Sequence, residues 1–385
     1  MPVAGIDIVL HDDTGAVVSS AKTDGTGKAT LEPTSDRSAV TLLELDAGGQ
    51  HNATTRMAIE PGDSLVFVIG PYPQRQPFSA DLEITIPPNP PAGTNYLWVD
   101  FGCEAFGTQP GSTFTHQLMN DCRRTGTNNL DAIVYAQNGD ERLAYAVMPN
   151  VTVASPTPIS FQSWRTDWLE LRLEYVGIST AAIAARTGFT FEVAGNRFTD
   201  DRVTLPITGG TVSRTERFVS GLATHIQHRL ELSFGDGPMH GTTSYSRFAA
   251  ITPSYTLDAS RLPPPITTLS IADATTARPT VSWTAAGSHE NSSYGFVTLS
   301  WAAPASGGWS LMFPPDLDDN ELTVPALPDE LAAFRPPADG SITADAATAG
   351  YQWSSWAPTY ADNRERQDGP EGEFEVMTTY FPGFF

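Results

Sequence analysis

The chain has 385 residues, with 22 Lys+Arg against 44 Asp+Glu, 32 Gly, 31 Pro and 2 Cys. At roughly 100–150 residues per domain this length predicts three or four domains, and 40% apolar residues supply a core for each. A net charge of −22 opposes any surface that must neutralise phosphates with Lys and Arg, so nucleic acid and anionic membranes are poor candidate partners, while cationic partners and metal ions stay open. Apolar stretches are short, and none approaches the about 20 residues of a spanning helix, so no transmembrane segment is expected.

Residues 1–10, MPVAGIDIVL, show no basic n-region, apolar h-region or lipobox cysteine. The expectation is a cytosolic chain or a trimmed mature form. Lys22 and Lys28 are the only lysines, an arginine bias that fits a GC-rich bacterial genome. Cys103 and Cys122 lie in one strand-rich stretch and form a candidate disulfide; closing a loop of about 20 residues stabilises by about 3 kcal/mol in an oxidising compartment. The alternative is a pair of reduced, buried thiols. Neither belongs to a CxxC pair and only His116 is near, which disfavours a metal site.

In the first seventy residues, apolar positions alternate and are bounded by Gly, Pro, Asn or Asp, the pattern of half-buried strands. Ile6, Ile8 and Leu10 alternate with Asp7 and Val9, and Asp12-Asp-Thr-Gly15 forms a turn. A strand is expected over 16–22 and a second turn at Asp24-Gly-Thr-Gly27. Further strands are expected over 28–31, 40–45, 54–59 and 64–69, the last after the turn Pro61-Gly-Asp63. Such spacing predicts a small sandwich. The stretch VAGIDIVLHDDTGAVVSSAKTDGTGKATL resembles the bacterial carboxypeptidase regulatory-like domain, a transthyretin-like sandwich. Thr23, Asp24, Gly27, Ala29 and Leu31 carry the match, which covers residues 1–70. The resemblance implies a non-catalytic domain beside other extracellular modules. Its motif has a local cause: Asp and Gly supply the tight turns and positive-φ positions of hairpins.

Pro71-Tyr-Pro73 and Pro87-Pro-Asn-Pro-Pro91 mark the entry to a second module, 71–166, because proline cannot donate to a sheet ladder. Strands are expected there over 81–86, 94–101, 113–119, 130–137, 143–148 and 158–164. Its GCEAFG, NDC and LDAIVYAQNGDERLAYAV segments resemble the second module of large secreted or lipid-anchored proteins of myxobacterial type, a resemblance that implies no chemistry. A third β module is expected over 167–262, with an Ala-rich helical turn at 180–186. Leu262-Pro-Pro-Pro265 is a linker. Residues 263–385 resemble a fibronectin type III-like sandwich with Trp283 as its core aromatic, and Pro328-Asp-Glu begins a short helix-like insertion with Leu331 and Phe334 one turn apart. The expected class is all-β, as four antiparallel sandwiches in tandem.

Motifs that carry chemistry are sparse. Of seven histidines only His225 and His228 are close, and on a strand they point to opposite faces, so solvated or locally hydrogen-bonded rings are expected. No HExxH and no GxSxG occurs. Asp316, Asp318 and Asn320 match the first three ligand spacings of an EF-hand loop, but Glu321 stands where Gly is required and Leu327 where a bidentate Glu belongs. A looser calcium site and a solvated turn are the two readings; Asp200-Asp201 and Phe234-Gly-Asp236-Gly read as turns. Five of the 8 tryptophans fall in the last module, and Trp353-Ser-Ser-Trp356 with Tyr351 and Tyr360 suggests an exposed platform for sugar rings or a partner.

These features lead to a non-enzymatic structural or interaction scaffold of bacterial type, secreted, periplasmic or on the outer cell surface, with a lipid anchor upstream of residue 1. No cofactor is implied apart from the calcium alternative. A carbohydrate-binding or adhesive protein using the C-terminal aromatics is the second expectation, and a β-scaffold hydrolase the third.

Overall fold

The computed structural model describes residues 2–35, 37–46, 48–67, 79–109, 113–124, 126–139, 141–193, 196–199, 203–221, 223–235, 240–302, 306–316, 320–339, 342–343, 346–365 and 373–381. Strand takes up 55% of the chain and helix 4%, so the protein is mostly β, distributed over several sheets. Pro71-Tyr-Pro73, Asp200-Asp201, Asp236, Asp318 and the end of the strand expected over 64–69 lie outside the described residues.

Each hairpin turn near the N-terminus is built by one aspartate. Asp12 Oδ1 accepts from Thr14 N at 2.9 Å, Thr14 Oγ1 at 2.7 Å and Ala16 N at 2.9 Å. Asp24 repeats this with Thr26 and Lys28, and Asp46 with the amides of Gly48 and Gln50. The threonine hydroxyl contributes most to holding the Asp12 and Asp24 carboxyls below the usual range. The fourth residue of each turn has positive φ, 74° at Gly15, 71° at Gly27 and 80° at Gly49, a conformation that glycine adopts without a Cβ clash. Gly15 is also a close approach: a Cβ there would meet Arg278 Nη2 at 2.8 Å and Pro325 Cα at 3.3 Å.

The strands Val17–Lys22, Asp7–His11, Ser38–Leu45 and His51–Ile59 lie side by side in that order. This first unit then joins the far end of the chain. His51–Ile59 pairs in parallel with Gly307–Phe313, in register from His51 opposite Gly307 to Arg56 opposite Met312. From there the same sheet continues through Tyr294–Trp301, Ala347–Ser354 and Phe374–Phe381 to Gly241–Ala250, His225–Phe234, Ala184–Val193 and Asn196–Thr199. With Val203–Leu205 attached to Ala184–Val193 it has 13 strands. Segments of the first, third and fourth expected modules therefore share one hydrogen-bonded sheet.

Three further sheets have three strands each and one has four. In the second unit, Leu82, Ile84 and Ile159 from a three-stranded sheet meet Leu97, Val99 and Val134 from the four-stranded sheet in one core. The strand Asn129–Asn138 is apolar on both sides because both sides are covered. Leu130, Ala132, Val134 and Ala136 enter that core, whereas Ile133 and Tyr135 enter a core built mainly from residues between Leu171 and Ala259, the third unit. Tyr145 fixes the seam: its hydroxyl donates to Asp167 Oδ1 at 2.9 Å and accepts from Ser220 N at 3.3 Å.

The seam between the first unit and the fourth, whose core runs from Ile266 to Phe381, carries a buried polar chain. Trp309 Nε1 donates to Thr55 Oγ1 at 2.8 Å, Thr55 and Thr41 hydroxyls are 2.8 Å apart, and Thr41 Oγ1 is 2.8 Å from His11 Nε2. Tyr360 pins the same seam, accepting from Met57 N at 3.1 Å while its hydroxyl lies 2.8 Å from the carbonyls of Met57 and Met312. Arg278 adds a clamp, donating to Thr14 O at 2.8 Å and Val324 O at 3.0 Å.

Three local expectations are corrected. Residues 28–31 and 64–67 form no strand. At 180–186 there is a turn closed by Ala182 N to Ser179 O at 3.0 Å, and then the strand Ala184–Val193 rather than a helical turn. The insertion after Pro328 is a 3-10 segment, Asp329–Phe334, whose Phe334 packs edge-on against His51 at 5.0 Å.

Candidate functional site

A cleft of about 820 Å³ opens on one face of the first unit, within the range of 300–1,000 Å³ typical of binding sites. Alternation along the strands creates it. Val9, Thr41, Leu43, Ala53 and Thr55 are buried, with Val9, Leu43 and Ala53 in the core of the fourth unit. The intervening Ile8, Leu10, Val40 and Leu42 point the other way and, with Ile59, make the floor of the cleft. Where a second sheet was expected, the irregular segments 29–33 and 64–67 border it, bringing Leu31, Leu65 and Phe67 against the floor, and Pro2, Val3 and the turn at Thr26 and Gly27 line it as well.

Backbone bonding singles these borders out. None of the residues 29–33 and 64–67 makes a hydrogen bond among the described residues. The cleft is also charged at its ends. Thr23 N donates to Ile6 O and Asp24 N to Lys28 O, so Lys28 lies at the Asp7 end of the central strand. Ile59 is opposite Ser38 and His11 opposite Ala39, so Glu60 and Asp63 lie at the His11 end. All three line the cleft.

Burial withdraws two of the four residues of the expected aromatic platform. Tyr351 is only 1% exposed and Tyr360 is buried. The Tyr351 hydroxyl accepts from Trp283 Nε1 at 3.2 Å and donates to Asn320 Oδ1 at 3.0 Å. Trp353 packs against the core of the third unit, and Trp356 is half-buried with its ring edge-on to Phe374 at 5.6 Å. Trp283 is buried as expected for a core aromatic.

Of the residues matched to a calcium loop, Asp316 is exposed, Asn320 turns inward to hold Tyr351, and Asp318 lies outside the described residues. Among the described residues no group of three His, Cys, Asp or Glu is arranged to hold a metal ion. Cys103 and Cys122 form a disulfide with their Cα atoms 5.2 Å apart. Beside it Glu104 accepts from His116 Nε2 at 2.9 Å, Met119 N at 3.1 Å and Asn120 N at 3.2 Å. Burial alone would raise the Glu104 carboxyl, but these bonds together outweigh it and hold it below the ordinary range.

The HIQH pair splits across the sheet. His225 stacks on Phe248 at 5.1 Å, with Nδ1 2.9 Å from Thr224 Oγ1. His228 is buried rather than solvated, ringed by Tyr175, Tyr245 and Tyr255, with Nδ1 3.3 Å from the Tyr175 hydroxyl. Burial lowers its pKa to about 3, with Arg247 adding to the shift. His11 and His289 are each lowered to about 4, chiefly by burial. His289 stacks on Tyr351 at 3.9 Å. Such rings stay neutral and work as packing groups near neutral pH.

Sequence reasoning missed the cleft because it assigned strands to both borders. The available signal was the sparse apolar content of 28–33, where Leu31 alone is large and Pro33 ends the run.

No protein-family model matches the chain, and no curated protein matches it. Among solved structures it is similar to a leucine-rich repeat protein from Bacteroides thetaiotaomicron, at 11% identity over 47% of this chain and 25% of that one, with a TM-score of 0.16. It is also similar to the native conformation of E. coli alpha-2-macroglobulin, at 14% identity over 99% of this chain and 27% of that one, with a TM-score of 0.16. The chain thus spans about a quarter of the length of these structures, and scores this low carry no argument about fold.

Proposed function

We propose that the chain is a non-enzymatic, extracytoplasmic interaction scaffold of bacterial type, built from β units, whose N-terminal unit offers its cleft to a partner. The carboxypeptidase regulatory-like pattern at Thr23, Asp24, Gly27, Ala29 and Leu31 supports a non-catalytic role for that unit. The disulfide supports an oxidising compartment. The observation that carries the reading is the parallel pairing of His51–Ile59 with Gly307–Phe313. It mounts the cleft on a sheet continuous with the third and fourth units, so a load on the cleft passes into the whole sheet through hydrogen bonds rather than through a linker.

Thiol counting tests the compartment: material recovered from the periplasm or medium should show no free thiol before reduction and two after, and two free thiols beforehand defeat the placement. Chemical unfolding with separate probes tests the mounting. Hydrogen exchange in Asp7–His11 and fluorescence of Trp309 should report one midpoint. Two separate midpoints would mean a loosely tethered unit.

A further inference from the structure

We infer that the cleft of the first unit takes an extended peptide strand from a partner protein, held by main-chain hydrogen bonds to the borders 29–33 and 64–67. The inference rests on the scaffold reading and names the occupant of its cleft. Three observations lead there. The borders make no backbone hydrogen bond among the described residues although their side chains Leu31, Leu65 and Phe67 are packed against the floor. Such backbone fits a partner that supplies amides and carbonyls at regular intervals, which an extended peptide does and a lipid or a sugar does not.

Length agrees with this. The central floor strand, Asp7–His11, has five residues, about 16 Å at a rise of about 3.3 Å per residue, and the commonest strands run five to six residues. The floor itself, Ile8, Leu10, Val40 and Leu42, is apolar, so the occupant needs apolar side chains at alternate positions.

Charge sets polarity. Lys28, one of two lysines in a chain of net charge −22, stands at one end of the cleft, and Glu60 and Asp63 stand at the other. The occupant therefore carries an acidic residue at the Lys28 end and a basic residue at the Glu60 end. A second copy of this chain is the weaker fit, because two chains of that charge repel.

Two capped heptapeptides test the inference. Both alternate Val and Thr between charged ends, one beginning with Glu and ending with Lys, the other reversed. Titration into the full chain should show one polarity binding at least tenfold more tightly than the other. The bound peptide should slow amide exchange in 29–32 and 64–67 at least tenfold. The double variant Lys28→Glu, Glu60→Lys changes only exposed side chains and should reverse the preferred polarity.

Equal affinity for both polarities, or binding without protection of those amides, overturns the inference. So does protection that appears without peptide together with a dimer in sedimentation, since the occupant is then a second copy. The apolar dye anilinonaphthalene sulfonate separates the two levels of the argument. Dye binding that is lost in Leu42→Gln, with no peptide binding, keeps the cleft as a site and removes the strand. No binding of dye or peptide removes the cleft from the scaffold reading as well.

Discussion

In the second unit, Leu82, Ile84, Leu97, Val99, Val134 and Ile159 meet at 0% exposure between two sheets; in the first, Ile8, Leu10, Val40 and Leu42 face a cleft of about 820 Å³. Both begin from short alternating apolar runs and turn residues. What separates them is the second layer. Ala80–Thr85, Thr113–Leu118 and Thr157–Ser160 pair with one another and so satisfy their backbone while closing the core. The segments 29–33 and 64–67 bring three large apolar side chains to the floor but pair with nothing among the described residues. Alternation is enough to place a side chain on a face, whereas closing a layer also requires partners for the main chain.

The sharpest way to break the closed unit is to strip its buried charge. Asp131 is fully buried and takes Arg124 in two parallel bonds, 2.8 Å from Nε and 2.5 Å from Nη2, with Asn150 N at 3.0 Å. Arg124→Ala leaves that carboxylate without its counter-ion and should cost about 3–5 kcal/mol. Urea unfolding followed at Tyr135 and Trp98 checks it, and a loss below about 1 kcal/mol would show that the pair is not what holds the 121–131 corner. The first unit contains no buried ion pair among the described residues, its Lys22 and Asp7 pair being exposed at the surface.

Reduction comes next. Breaking Cys103–Cys122 should lower stability by about 3 kcal/mol through the entropy returned to the unfolded chain, and it should leave exchange in Asp7–His11 unchanged if the penalty stays in the second unit. Equal loosening of both units would mean that the long sheet couples them more tightly than their separate cores suggest.

The seam that joins the open unit to the fourth is polar, and it should respond to acid. Thr41→Val removes the link between His11 Nε2 and Thr55 Oγ1 and should cost about 1–3 kcal/mol, the usual penalty for orphaned buried groups. His11 has a folded-state pKa of about 4 against an ordinary 6.5. A depressed histidine leaves the folded state binding fewer protons than the unfolded one between those values. Stability is therefore complete above about 6.5, falls as pH drops and stops falling near 4. His228, lowered to about 3, and His289, lowered to about 4, act in the same direction. Asp100, raised to about 6 by burial, opposes them, because its protonated form is the favoured one in the fold. Melting temperature should fall between pH 6.5 and 4, and His11→Phe should flatten part of that slope; an unchanged slope would mean that the His11 ring is hydrated.

Much of this arrangement was legible residue by residue. The turns at Asp12 and Asp24 follow from an aspartate two residues before a Thr, since the carboxylate can reach the amides two and four residues on, and Asp46, at which no turn was expected, does the same ahead of Gly48. The pairing of Cys103 with Cys122 and the burial of Trp283 follow from position in strand-rich text. Long-range order was not legible in the same way. That His51–Ile59 adds in parallel to Gly307–Phe313 depends on Trp309, Thr55 and Tyr360 meeting across more than 250 residues of chain, and no local periodicity encodes a partner. Tyr351 shows why membership of the platform was not legible: nothing in its local sequence tells that its hydroxyl has Trp283 and Asn320 to bond inside the core.

The smallest effect is the one that separates the two units most cleanly. Leu82 has no exposure and Leu65 is half-buried at the border of the cleft. Leu82→Ala removes side-chain volume from a closed core and should cost about 2–5 kcal/mol. Leu65→Ala, beside an existing cleft whose border backbone has no partner among the described residues, removes fewer close neighbours and leaves a wall free to relax, so it should cost below about 1 kcal/mol. The same substitution should instead weaken whatever occupies the cleft, because Leu65 packs against the floor where apolar side chains of an occupant would insert. A pair of urea curves checks the first difference. A Leu65→Ala penalty as large as that of Leu82→Ala would mean that the first unit is closed in solution and that its cleft is not a standing feature of the fold.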